Sequence, residues 1–534
     1  MIEILNVKPG DVFHNSIVLL HGLCNDKNPN NIQCFDSNGS VSNWSVINNQ
    51  FKVFVHLIFG RNEITLKTNE TQLKIILFRR LVKSERIVRV LYIVCQDDCS
   101  NGQFQSNDNN NDQKNALNRI HLNVRLLQTF LSEAILKQFK IRKTFFLKCD
   151  ADLEEICSCE IFRTKLKISE ALSISSNEIF TYLLNEINKN FNSDEKFIAI
   201  LSFTRYFPEK IGTIFQKTKG YCALAAQNLA VYGTACLFTW AENLSDLENK
   251  IYDQNQVDSN YMNDSAFRNT YSDCYSTTLG SLLHEMSHLF DLGHNFEGIM
   301  HRGFDDLKNF ISIQTNECFC YENFRLAKAL NGEIDRISVF KSQEILDNEK
   351  TYIEKKIAHF KSNCEKQTIF YQKSLNFYLS SSTKRKSQCE CLKNCYYTFS
   401  NLMIFFYNKF FNETQNCGGQ IKFIKISNKL FNVLSDNRLI WYQLGTSKRN
   451  LEFDSGDPCN SKNDLISLKL KEHSNYEYLL EFNLSNLLKR LLEINETRDG
   501  CNNLSQIKHS SVDSIALFLM DDNGLIFREN ISVK

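Results

Sequence analysis

The chain has 534 residues and 43% hydrophobic content, enough for several packed domains rather than one. A net charge of +1 excludes a partner held by bulk charge, and no basic stripe suggests nucleic acid; the densest basic patch, 384–393, is short, interrupted and reads as solvated surface. No run approaches the roughly eighteen apolar residues of a membrane span, since 402–411 is too short and carries Asn408 and Lys409.

The start, MIEILNVKPGDVF, carries Glu3 and no apolar core, so it does not read as a signal peptide. The nineteen cysteines are therefore expected to be reduced thiols of a cytoplasmic protein. Residues 1–83 read as strands. Apolar runs at 51–58 and 63–66 are joined by the turn signal Gly60-Arg61-Asn62, and 71–77 alternates in part. The expectation is a small β-sandwich. His14, His21 and His56 are scattered within it and read as ordinary packed or exposed histidines.

Residues 84–310 read as the chemical core of the chain. A buried strand is expected at 87–94, then an Asn/Asp-rich loop at 106–115. A helix follows, with Leu117, Ile120, Val124, Leu127, Leu131 and Ile135 at three- and four-residue steps. Thr144–Leu147 reads as a strand. Ser175 or Ser176 caps a second helix with Ile179, Leu183, Ile187 and Phe191 on one face, and 197–203 is a further strand. The run 220–233 carries small residues unusual for a central strand. It fits either an edge strand that a peptide could approach or a Gly- and Ala-containing strand packed tightly under a helix. Residues 243–273 are polar and read as a long loop with room for a short helix.

The densest chemistry lies in Thr278–Phe304, TLGSLLHEMSHLFDLGHNFEGIMHRGF, which holds four of the eleven histidines. A helix turns once in about 3.6 residues, so His284 and His288 project from one face and can converge on one ion. Zinc suits such ligands, and a catalytic site keeps three protein ligands and a fourth position for water. Glu285 lies beside the first ligand, where it can take a proton from that water. The third ligand must come from beyond the helix. Asp291-Leu292-Gly293 can end it, Gly293 supplying the sharp turn, and His294 then swings back toward the ion. Leu279, Leu282, Leu283, Met286, Leu289 and Phe290 would bury the helix. A core helix with two packed histidines explains His284-Glu285-x-x-His288 alone, but not the added His294 and Met300.

These residues resemble the metzincin clan of zinc metallopeptidases, whose pattern is H-E-x-x-H-x-x-G-x-x-H followed by a methionine turn. Asp291 stands where the clan has glycine; aspartate tolerates the left-handed region, at a cost. The continuation Gly298-Ile299-Met300-His301-Arg302-Gly303-Phe304-Asp305-Asp306-Leu307 resembles a family of eukaryotic zinc metallopeptidases known mostly by sequence, which carry a GIM-x-RGFDDL-like segment. The resemblance covers roughly 220–310. It implies a zincin-like fold, an edge strand beside the cleft for substrate backbone, and Met300 as a hydrophobic floor beneath the metal rather than a ligand.

Beyond it, 311–415 reads as a helical subdomain, with amphipathic stretches at 323–330 and 354–371. Cys157/Cys159, Cys318/Cys320 and Cys389/Cys391 with Cys395 are close thiols. Their spacing is not that of a zinc ribbon, and free thiols or local disulfides are favoured over a second zinc. Residues 416–534 read as a β-rich accessory domain, with strands near 421–426, 439–444, 465–470 and 514–520, a helix at 484–493 and a hairpin turn at Asp522-Asn523-Gly524.

The fold expected is α+β: a zincin-like unit flanked by β-rich domains. The function expected is a zinc-dependent endopeptidase acting on peptide or protein, with one Zn²⁺ on His284, His288 and His294 and Glu285 as general base. The alternatives are a binding or scaffolding protein that keeps the zinc fold without turnover, and a hydrolase acting on something other than protein.

Overall fold

The computed structural model of the chain describes residues 1–313 and 395–412, apart from 28–29, 83, 85, 107–109, 151–158, 193 and 296–297, together with the backbone of eight strands between 421 and 532. The stretches expected to be helical at 323–330, 354–371 and 484–493, the hairpin turn at 522–524, and Cys157, Cys318, Cys320, Cys389 and Cys391 lie outside the described residues.

The amino-terminal part is all strand: β1 Ile2–Ile4, β2 Val12–Phe13, β3 Ile17–Cys24, β4 Asn31–Phe35, β5 Val41–Ser45, β6 Gln50–His56, β7 Gly60–Lys67 and β8 Gln72–Arg79. They form a three-stranded sheet, β1-β3-β6, and a five-stranded sheet, β2-β8-β7-β4-β5. The alternation that marks these strands puts Val53 and Val55 of one sheet and Ile64 and Leu66 of the other into a shared core, and on the opposite face of β6 the Phe54 ring meets those of Trp44 at 5.9 Å and Phe310 at 5.8 Å. Gly60 does not sit in the connecting turn. It opens β7 with a φ of +91° that glycine alone adopts freely.

The next part is a mixed α/β layer built on β9 Val88–Cys95, α1 Gln113–Phe139, β10 Cys159–Thr164, α2 Ile168–Ala171, α3 Ser176–Asn190 and β11 Lys196–Leu201. A small ribbon follows, β12 Arg205–Tyr206 and β13 Thr218–Lys219 bracketing the one-turn α4 Ile214–Lys217, then β14 Ala223–Ala226 and β15 Leu229–Gly233. The five-stranded sheet has the order β10-β9-β11-β15-β14. Its first four strands are parallel and the edge strand β14 runs antiparallel to β15. Strands buried on both faces read as continuous apolar runs. Accordingly Val90, Tyr92, Ile198 and Ile200 enter the core on the α1 side, whereas Leu91, Ile93, Phe197 and Ala199 enter a second core with Ile179, Leu183 and Ile187 of α3.

The helices start where the caps predict. Asp112 accepts from the Asn115 amide to open α1, and Ser175 with Glu178 forms a reciprocal capping box on α3. Two expectations are corrected. Thr144–Leu147 is not a strand; it makes one bridge, Leu147 to Val88. Side chains hold its backbone instead: Gln128 donates to the Phe145 oxygen and Asp150 accepts from the Leu147 amide. The small-residue run 220–233 is not one strand but a hairpin, turned at Gln227 with φ +57°, so that only β14 lies at the edge.

After the sheet come α5 Leu244–Tyr252, α6 Tyr271–Leu289, α7 Lys308–Ile311 and, from the carboxy-terminal side, α8 Phe399–Tyr407. Residues 402–411 are therefore a core element; Ile404, Phe405, Phe410 and Phe411 are buried, and Phe406 meets Phe139 of α1 at 4.5 Å. Among the described residues no helix is long and apolar enough to cross a membrane. Cys24, Cys34, Cys222, Cys236 and Cys274 are buried free thiols. Two four-stranded antiparallel sheets lie in the carboxy-terminal part: Ile421–Lys425, Leu430–Ser435, Tyr478–Asn483 and Ile466–Lys469 in that order, and Leu451–Gly456, Leu439–Thr446, Ser514–Asp521 and Ile526–Ser532.

Candidate metal centre

Helix α6 begins at Thr270, whose hydroxyl accepts from the Asp273 amide at 3.1 Å, and is buried along most of its length. Gly280 permits this: a Cβ there would fall 1.9 Å from the Phe304 main-chain oxygen, so the helix lies directly against the later segment 303–306. Trp240 Nε1 donates to Thr278 Oγ1 at 2.9 Å and ties the helix to the end of the sheet.

The helix ends in a Schellman arrangement. The Leu292 amide reaches back to the Ser287 oxygen and the Asp291 amide to the His288 oxygen, both at 3.2 Å. The left-handed residue is Asp291, with φ +73°. The turn expected at Gly293 is therefore made two residues earlier, by Asp291.

The bend brings three imidazoles together. Ring centroids of His284 and His288 are 4.9 Å apart, those of His288 and His294 4.7 Å, and those of His284 and His294 5.0 Å. Each offers a ring nitrogen such that the three lie within 4.8 Å of one another. His284 Nδ1 bonds the Ile299 oxygen at 2.8 Å and His288 Nδ1 bonds the Leu292 oxygen at 2.7 Å. Carbonyl oxygens only accept, so both Nδ1 atoms carry a proton and Nε2 is the nitrogen left to face a ligand. Holding the outer nitrogen on a carbonyl in this way fixes tautomer and ring direction in metal sites. His284 Nε2 then faces His294 Nε2 at 3.1 Å. Burial, reinforced by the charges of His288, His294 and Arg302, holds His284 well below the usual imidazole range, so it stays neutral. Three imidazoles whose ring nitrogens converge in this way fit a divalent cation of the zinc type.

Glu285, next along the helix, is half-buried, and burial pushes its carboxyl up to about 7. That value matches a group that must exchange a proton near neutrality. Met300 is fully buried, and its oxygen accepts from the Asn295 amide, closing the loop that carries His294.

The segment after Met300 supports this loop, and its residues escaped the sequence reading as structural parts. Arg302 grips Asp305 through two bonds of 2.9 Å. Arg268 donates to Asp306 Oδ1 and to Thr277 Oγ1, both at 2.9 Å, and to the Asp305 oxygen at 2.5 Å. Phe304 sets its ring 5.2 Å from that of His284. From the amino-terminal sheets, Lys52 Nζ donates to the oxygens of Asn309, Phe310 and Ser312, each at 2.8 Å. From the far side, the Ile299 amide donates to the Tyr396 oxygen, the Tyr397 and Ser287 hydroxyls share a hydrogen bond, and Asn295 Nδ2 reaches Thr398 and Asn401. The paired charges of Arg302-x-x-Asp305-Asp306 were the one visible signal for any of this.

The chain has relatives among known sequences. The family model described as "Putative peptidase family" matches residues 1–363, more than half of the chain. The chain belongs to that family. It is 24% identical over 352 residues to the Saccharomyces cerevisiae protein named "Putative zinc metalloproteinase YIL108W", an alignment covering 59% of this chain and 50% of that protein. It is 21% identical over 338 residues to the Schizosaccharomyces pombe protein named "Putative zinc metalloproteinase C607.06c", covering 59% and 54%. The chain thus spans about half the length of the curated relatives it matches. Among solved structures it is similar to wild-type OgpA from Akkermansia muciniphila, at 10% identity and a TM-score of 0.39, covering 84% of this chain and 94% of that one. That likeness is too distant to bear on fold or substrate. The resemblance to eukaryotic zinc metallopeptidases read from Gly298–Leu307 holds.

Proposed function

We propose that the chain is a zinc-dependent endopeptidase in which His284, His288 and His294 hold one Zn²⁺ and Glu285 is the general base. The observation that carries this reading is the meeting of His284 and His294 through their Nε2 atoms at 3.1 Å, one residue from a carboxyl raised to about 7. Held by His284, His288 and His294, a zinc ion would supply a Lewis acid for a peptide carbonyl and a bound water of pKa near neutrality.

The chain's own residues do the rest. Glu285 takes the proton of the attacking water and passes it to the leaving amine. Ile299 and Leu292, through their carbonyls, keep the imidazoles in the ligating tautomer. Met300 forms an apolar floor. The edge strand β14 offers main-chain N–H and C=O groups to an extended peptide, because it pairs with β15 on one side only among the described residues. The small side chains of Ala223, Ala225 and Ala226 let that peptide approach.

The same reading assigns a zincin-like catalytic unit to 84–310, with 1–83, 311–415 and 416–534 as separate units beside it in the sequence. Digestion of a peptide library by wild type and Glu285→Ala, with and without chelator, tests it. Cleavage by wild type alone, abolished by chelation, is the expected result. Equal cleavage by the variant would refute the role of Glu285, and no cleavage by either would favour a binding protein or a different substrate.

A further inference from the structure

Among the described residues the most exposed large apolar side chain is Ile211, fully exposed at the tip of the β12–β13 ribbon, and Phe215 on the same tip is 49% exposed. Water-facing isoleucine and phenylalanine cost nothing alone, but two on one tip mark a contact surface.

The tip is built rather than loose. Thr213 and Gln216 form a reciprocal capping box, the Phe207 amide donates to the Lys217 oxygen at 3.0 Å, and Lys217 Nζ reaches the Pro208 oxygen at 3.2 Å. Such a scaffold presents its apolar groups at low entropic cost to whatever binds.

Its place in the fold says what that is. The ribbon returns at Lys219, turns at Gly220 with φ +64°, and enters the edge strand β14 three residues later. The Gly220 turn is tight, since a Cβ there would sit 3.0 Å from the Phe203 ring. Phe215 lies 5.4 Å from the Tyr221 ring, Tyr221 lies 6.2 Å from Tyr232, and Tyr232 stacks on Trp240 at 6.4 Å. Trp240 in turn bonds α6 at Thr278. A ladder of rings therefore runs from the exposed tip to the helix that carries His284 and His288. Burial, then the charges of Asp264, Cys236 and, after a Tyr232 hydrogen bond that opposes them, Glu285, pushes the Tyr221 phenol up.

We infer that Ile211 and Phe215 form an apolar wall at the end of the substrate edge, selecting peptides with a large aliphatic or aromatic side chain where the peptide runs off β14. A strand laid along β14 projects alternate side chains to one face, and continuing past Cys222 it meets this wall. The inference rests on β14 receiving the substrate, as proposed above.

The test uses the full chain loaded with zinc and a peptide set scanned one position at a time with Leu, Phe or Ser. Wild type should prefer Leu or Phe at one position of the peptide. Ile211→Ser and Phe215→Ser should each reduce that kcat/KM preference by up to about tenfold. Ile211 is fully exposed, so its variant reports even where Phe215→Ser folds poorly. A preference unchanged in Ile211→Ser, or absent from wild type, overturns the wall. So does dissociation of a wild-type oligomer by Ile211→Ser with the preference intact, which would make the tip a self-association surface. Failure of wild type to cut any peptide is a different result: it defeats the peptidase reading, and the wall with it.

Discussion

The Nδ1–H of His284 is held by the main-chain oxygen of Ile299 at 2.8 Å, so the first imidazole of the helix is coupled to the turn that follows the third. The turn is itself fixed from outside, through the Ile299 amide on the Tyr396 oxygen and through Gly298, where a Cβ would lie 2.4 Å from that same oxygen. Ring direction at the centre thus depends on segments far apart in the chain.

The Asp291 bend is the first point of test. A left-handed non-glycine residue carries about 1–2 kcal/mol of steric cost, least for Asp and Asn. Asp291→Gly should fold within about 1 kcal/mol of wild type and keep its metal. Asp291→Val should lose about 2 kcal/mol or more and bind zinc more weakly, because the bend that returns His294 is no longer accessible. Denaturant melts and competitive zinc titration measure both. Tighter or equal zinc binding by the valine variant would separate the bend from the site.

Arg302 is the second. Asp305 is fully buried and, despite Arg302 and Arg268, burial keeps its carboxyl up at about 6. A folded-state value raised above the unfolded one means that the native state binds the extra proton. The stability this costs is absent at pH 4 and grows as pH rises through 6. Arg302→Met removes the two-pronged partner, so its loss of about 3–5 kcal/mol should be largest above pH 7 and should shrink on acidification below 6. Adding Asp305→Asn should recover much of it. A loss independent of pH would show that Arg302 acts through its stacking on Phe304, 4.7 Å away, and not through the carboxylate.

Metal retention should also follow pH in a defined way. An imidazole must be neutral to bind a metal, and burial holds His284 well below 6.5. Cobalt substituted at the centre should therefore stay bound, by its absorption spectrum, to a lower pH than an exposed histidine triad allows. Release with a midpoint at or above 6.5 would contradict the burial of that ring.

Much of this centre was legible in the sequence because it is local. His284, Glu285 and His288 share a helix whose apolar spacing is plain, and His294 lies six residues on. Asp291 could be recognised as a tolerated left-handed residue, but Gly293 attracted the turn because glycine is the stronger signal. Tyr396, Tyr397, Thr398 and Asn401 could not be found, since they reach the site across about a hundred residues and carry no pattern of their own. β10 was missed because Cys159–Thr164 mixes two charges with its apolar residues. Thr144–Leu147 was overread because four apolar or β-branched residues look like a strand wherever side chains take over the backbone bonds.

Metal content measured on the purified chain tests the central claim most directly. Wild type should carry one zinc per chain, and His294→Ala should lose it while keeping the helix and its fold by circular dichroism. Zinc retained at full stoichiometry in His294→Ala, or no zinc in wild type after reconstitution, would contradict the account.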